Sequence, residues 1–169
     1  MILAFDTYYY DDKAKTVCVQ FENWSDPTEA FVYQETVTGI SEYVSGEFYK
    51  RELPCIVSLL KKIDTTNCKA IIIDGFVVLD DHEKLGLGGY LYHELQGKIP
   101  IIGVAKNNFA KINTCKKAVL RGNSQKPLYI TGMGIHLDKA AENIKHMDGA
   151  FRIPTLLKKV DSLGREINS

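Results

Sequence analysis

The chain has 169 residues, 45% apolar and 25% charged, and its 21 lysines and arginines balance 21 aspartates and glutamates. That size fits one domain over 1–169, and that mix argues against a disordered chain, a collagen-like repeat and a coiled coil. No apolar run reaches the roughly 18–20 residues of a membrane helix, and the four cysteines (Cys18, Cys55, Cys68, Cys115) form no CxxC pair, so a cytoplasmic chain with neither disulfide framework nor zinc site is expected.

The balanced total hides an uneven distribution. Residues 1–50 carry nine acids and three bases, and residues 101–150 carry three acids and eight bases. Two readings fit: a metal-binding end beside a phosphate-binding face, or two ordinary solvated faces.

MILAFDTYYY opens directly into a strand (1–9), without the basic start of a signal peptide, and holds Asp6 near its end. The β-rich segments 16–23 and 29–37 follow, separated by the turn signals DDKAK and WSDPT, which predicts a three-stranded antiparallel meander. After the loop TGISEYVSGE, residues 48–63 place Leu53, Ile56, Val57, Leu60 and Ile63 at helical spacing, with Pro54 near the first turns.

CKAIIIDG (68–75) is a short apolar run ending in Asp-Gly, the pattern of a buried parallel strand. A loop with Asp80, Asp81 and His82 leads to a glycine-rich helix (84–95), then to a second buried strand (98–106). Segments 116–122 and 126–133 flank a GNSQ turn as a hairpin, and helices are expected at 137–147 and 154–167. The GLGG run lacks the lysine and hydroxyl residue of a phosphate-binding loop. The order predicts an α/β fold of ribonuclease H type: a mixed sheet joining the three-stranded antiparallel meander to parallel strands and flanked by helices. A doubly wound sheet is disfavoured because no helix separates the first three strands.

Two acids stand out by position. Asp6 and Asp74 lie near the ends of apolar strands, where a lone carboxylate is costly unless paired or bound to a cation. On neighbouring strands they converge, and oxygen ligands without a histidine–cysteine cluster favour Mg²⁺ or Mn²⁺. Such an ion activates water and stabilises phosphodiester displacement. The alternative is that each acid caps a local turn. The tyrosines at 8–10 read either as a base-stacking surface or as hairpin packing.

Several segments, taken together, resemble the endonuclease V family, nucleases that recognise deaminated adenine (inosine). AFDTYY resembles its first strand with a metal aspartate, and EYVSGEFYKRELP its tyrosine wedge loop and following helix start. IIIDG and IPIIGVAK resemble its two buried strands, and PLYITGMGIHLDKA and FRIPTLLKKV its closing strand, helix and arginine–leucine–proline segment. The matches run in family order from Ile2 to about residue 160.

The resemblance implies a metal-dependent nuclease cutting one linkage 3′ of the altered base in single-stranded or flexible DNA or RNA, as a monomer with a repair role. Asp6, Asp74 and Glu52 would hold Mg²⁺ or Mn²⁺, and Lys106 would sit by the scissile phosphate. Tyr43 would be the wedge, and Gly46, Phe48 and Gly75 would line the pocket for the extruded base. The family's active-site histidine aligns with Met133, whose thioether cannot replace imidazole, and His136 is the candidate replacement. FVVLDDHEKLG stands where the family has histidines and arginines, and the wedge has lost its prolines. A non-catalytic nucleic-acid-binding protein on the same fold is therefore the rival expectation.

Overall fold

The computed structural model describes residues 1–40 and 48–167. Tyr43 and Gly46 lie outside the described residues, as does the side chain of Phe48.

The chain begins with a long hairpin of β1 (Ile2–Tyr10) and β2 (Lys13–Phe21), paired antiparallel from Ile2↔Phe21 to Tyr10↔Lys13. Its turn is only Asp11–Asp12, with Asp11 at φ 50°, a left-handed conformation that aspartate tolerates. The second strand therefore starts three residues earlier than the DDKAK signal suggests. The strand β3 (Phe31–Thr38) adds antiparallel to β2 and completes the expected meander.

The helix α1 (Phe48–Leu60) passes through Pro54, whose residue is exposed. Next, β4 (Ala70–Asp74) pairs parallel with β1, and β5 (Ile101–Ala105) parallel with β4. Between them lies α2 (Leu87–Glu94), shorter than its expected span. Its glycines explain GLGG: a Cβ on Gly88 would lie 2.6 Å from Val77 Cγ2, and one on Gly89 2.7 Å from the Val77 carbonyl oxygen. They are the residues that allow the helix to sit on the β4–α2 loop.

The predicted hairpin is present as β6 (Lys117–Val119) and β7 (Leu128–Met133). The strand β7 runs antiparallel to β5, which fixes its direction against the parallel strands. Helices α3 (Leu137–Lys145) and α4 (Thr155–Arg165) complete the chain. The sheet order is β3-β2-β1-β4-β5-β7-β6, the ribonuclease H-like mixed sheet that the order of segments predicted.

The two-residue period of the strands sorts side chains between two apolar layers. Ile2, Ala4, Ile72 and Ile102 pack with Ala140, Ile144, Leu156 and Val160 of α3 and α4. Leu3, Phe5, Ile71, Ile73 and Ile101 pack with Ile56, Leu59 and Leu91 of α1 and α2. Among the described residues no helix is long and apolar enough to cross a membrane.

Candidate functional site

The strands β1 and β4 carry the first two acids. Phe5 pairs with Ile73 in the parallel register, so the next step sets Asp6 beside Asp74, on strands about 4.8 Å apart. Asp74 ends β4, and the sheet opens there because Gly75 turns the chain away at φ 113°. A Cβ built on Gly75 meets nothing within 4 Å, which leaves open space above the strand end. Such carboxyl ends of parallel strands are where α/β sheets bind their ligands.

Two helices bring further acids. Glu52 arrives from α1, and its carboxyl is affected by both Asp6 and Asp74. Asp161 arrives from α4 on the opposite layer, close enough for its carboxyl to raise that of Asp6. Asp6, Asp74, Lys106 and Asp161 line a cleft of about 30 Å³ floored by Phe5, Ile72 and Val104. That space holds one or two water-sized occupants.

The electrostatics follow from this crowding. Burial pushes the Asp6 carboxyl up to about 7, with Asp74 and Asp161 adding to the rise and the Thr7 amide opposing it. The Thr7 N–H donates to Asp6 Oδ1 at 2.9 Å. Burial also pushes Glu52 up to about 8, with Asp6 and Asp74 contributing. Asp74 is raised by loss of hydration and by Asp161, and is drawn back down by Lys106 and Arg165. Among the described residues, no three acid, histidine or cysteine side chains enclose a single point tightly enough to hold an ion as they stand. The acids form an electrostatic cluster of four.

Basic residues border the cluster. Lys106 is exposed one residue beyond β5, and its carbonyl accepts from Arg152. The same guanidinium donates to the carbonyls of Lys126 (3.0 Å) and Pro127 (2.8 Å), tying the end of β5 to the start of β7. Arg165 Nε donates to Asp161 Oδ1 at 3.1 Å. Behind them Arg121, only 5% exposed, donates to the carbonyls of Lys145, Met147, Asp148, Gly149, Phe151 and Arg152, and so fixes the loop that leads into α4.

Of the residues singled out in the sequence, Asp6, Glu52, Asp74, Lys106 and Gly75 come together. His136 does not. Met133 pairs with Ile101, at the end of β5 opposite Ala105, because β7 runs antiparallel to it. His136 is exposed just beyond, before α3. The closing strand points its last residues away from the carboxylates, so His136 cannot stand in for the aligned histidine. Asp161 is the acid that the sequence reading missed. Its signal was its place on α4: one turn after Leu157 and next to buried Val160, at the border of the apolar stripe.

A family model described as Endonuclease V matches residues 1–122. No curated protein matches. Among solved structures, an endonuclease V from Ciona intestinalis, in complex with a DNA 24mer containing an inosine followed by a ribo-adenosine, is similar at 19% identity and TM-score 0.77. That match covers 97% of this chain and 84% of the other. The Bacillus subtilis endonuclease V gives 20% identity and TM-score 0.73, over 96% of this chain and 77% of the other. A protein of unknown function from Archaeoglobus fulgidus gives 12% identity and TM-score 0.61, over 96% and 95%. At these identities the solved structures speak for the fold, while the family model spans 122 of 169 residues, and the chain belongs to the endonuclease V family of nucleases.

Proposed function

We propose that this protein is a divalent-metal-dependent endonuclease that hydrolyses a phosphodiester bond near a deaminated purine, inosine, in single-stranded or flexible DNA or RNA. The observation that carries this reading is the meeting of Asp6, Glu52, Asp74 and Asp161 from four separate elements, with the first three raised in pKa by loss of hydration and by neighbouring acids of the four. Such an arrangement is unfavourable for a metal-free core and favourable for a cation.

The donor set fits a hard divalent ion. It is made of carboxylate oxygens only, without imidazole or thiolate, which suits Mg²⁺ or Mn²⁺. Asp6, Glu52, Asp74 and Asp161 would hold it. When bound, the ion supplies charge neutralisation and an activated nucleophile for displacement at phosphorus. Lys106, exposed beside Asp74, meets a non-bridging phosphate oxygen and offsets the charge that develops there. Gly75, with open space above it, lets a displaced base approach the backbone. Phe48, Gly46 and Tyr43 complete the base pocket and the wedge in this reading. The protein acts on its substrate as a monomer, in a cytoplasmic repair role, within one domain.

The deciding experiment is cleavage of labelled oligonucleotides, with and without one inosine, as single-stranded DNA and RNA in Mg²⁺ or Mn²⁺. Inosine-dependent cutting that disappears in Asp74→Asn supports the proposal. Retained inosine binding without cutting in any metal replaces it with the rival, a non-catalytic binding protein on the same fold.

A further inference from the structure

The β1–β2 hairpin extends beyond the carboxylates, and its far end has an uncovered face. Strand register lays out that face as rows: Asp6–Val17–Gln34, then Tyr8–Lys15–Thr36, then Tyr10–Lys13–Thr38. The helix α4 covers the first rows and stops at the second. Lys15 makes the stop: its ammonium donates to the carbonyls of Leu163 (2.9 Å) and Glu166 (2.5 Å), capping the helix C-terminus. Beyond that cap Gln34, Thr36 and Thr38 are exposed, and Tyr10 borders a groove of about 220 Å³ with Lys15, Gln34, Glu35, Thr36, Glu166 and Ile167.

Two features of this groove exceed what hairpin packing requires. The rings of Tyr8 and Tyr10 stack, with centroids 6.1 Å apart and planes at 22°. Each ring carries a cation: Arg165 lies 5.4 Å from the Tyr8 centroid and Lys13 5.8 Å from the Tyr10 centroid. The arrangement combines an aromatic face, amide and hydroxyl groups at its edge and the Lys13 ammonium beside the ring, which is the chemistry that receives a nucleobase; the Glu35 and Glu166 carboxyls in the lining leave Lys13 as the cation that can meet its phosphate. Tyr10 and Asp6 share one face of β1, four residues or about 13 Å apart, a span that the same nucleic-acid strand bridges. Asp11 and Asp12 at the turn repel a polyanion and mark where the strand must leave.

We infer that the groove at Tyr10, Gln34 and Thr36 is a second nucleotide subsite, in which an undamaged base flanking the cleavage site stacks on Tyr10. The inference rests on the nuclease reading for its substrate, and deepens it by adding a contact away from the altered base. Tyr8 backs the stack, Gln34 and Thr36 offer hydrogen bonds to the base edge, and Lys13 faces the phosphate.

The test is an abasic walk. Single-stranded inosine oligonucleotides, each with one abasic residue moved outward from the inosine, are titrated by fluorescence anisotropy in Ca²⁺ and cleaved in Mg²⁺. With the parent protein, one flanking position is expected to weaken Kd and raise KM by about 5- to 150-fold, the range that losing one base-on-aromatic stack gives. Tyr10→Ala is expected to lose that position dependence, and Tyr10→Phe, which keeps the ring, to retain it. Gln34→Glu, an exposed change that puts a negative charge in the groove, is a second variant and is expected to weaken binding. A flat profile in the parent, or an unchanged profile in a folded Tyr10→Ala protein, overturns the inference. A parent that shows the profile in binding but never cuts overturns the nuclease reading and leaves the subsite standing; a parent that binds no oligonucleotide overturns both.

Discussion

Replacing Asp6 by asparagine is expected to stabilise the metal-free protein above neutral pH. The Asp6 carboxyl moves from 3.8 to about 7 on folding, chiefly through burial and then through Asp74 and Asp161. Between those values the folded state binds more protons than the unfolded state, so stability falls as pH rises and levels off above about 7. A rise of about three units, at about 1.36 kcal/mol each, sets an upper bound of about 4 kcal/mol on the cost of the ionised group at pH 8. Asparagine is neutral and keeps the Oδ1 acceptor for the Thr7 N–H. Thermal melts in EDTA from pH 4 to 8.5 should therefore show Asp6→Asn matching the parent near pH 4 and exceeding it at pH 8, by up to about 8–15 °C. Saturating Mn²⁺ should erase the advantage, since only the parent gains from the ion. An Asp6→Asn protein less stable than the parent at pH 8, with a parent profile flat across that range, shows that the ionised Asp6 carboxylate carries no such cost.

Three further outcomes follow from the same geometry. Mn²⁺ affinity measured by calorimetry should rise from pH 6 to 8.5, because protons on Asp6 (about 7) and Glu52 (about 8) compete with the ion; a pH-independent affinity argues against these ligands. Lys106→Ala should lower kcat by about 10²-fold while changing stability by less than about 0.5 kcal/mol in urea unfolding, and an unaltered kcat removes Lys106 from the reaction. Arg121→Met should cost about 3–5 kcal/mol in urea unfolding, since several carbonyls around 145–152 lose their buried donor; a loss below about 1 kcal/mol shows that water replaces it.

Much of the framework was legible because its signals are local. The strand-like run MILAFDTYY, the apolar runs IIID and IIGVA, and the missing helices between the first strands pointed to the mixed sheet. Asp6 and Asp74 stood out because a carboxylate at the end of an apolar strand is costly. Glu52 required the family resemblance, since an acid early in a helix has an ordinary explanation. Asp161 was hidden because, in an amphipathic helix, an acid at the border of the apolar stripe looks solvated until the helix is docked on β1. The arginine network was not readable at all: Arg121 and Arg152 bind backbone carbonyls 24 to 46 residues away, and carbonyls carry no sequence. His136 looked close to the site because motif order does not encode strand direction. The antiparallel course of β7 takes the residue to the other end of the sheet.

On the proposed function, four carboxylates from β1, α1, β4 and α4 gather one divalent cation where the phosphodiester is cut. The most direct measurement is anomalous diffraction from crystals of the protein grown with Mn²⁺ at pH 8. A peak is expected among Asp6, Glu52, Asp74 and Asp161 and is expected to be lost in Asp74→Asn crystals. A map with no peak there, or with manganese bound only elsewhere, contradicts the proposed function.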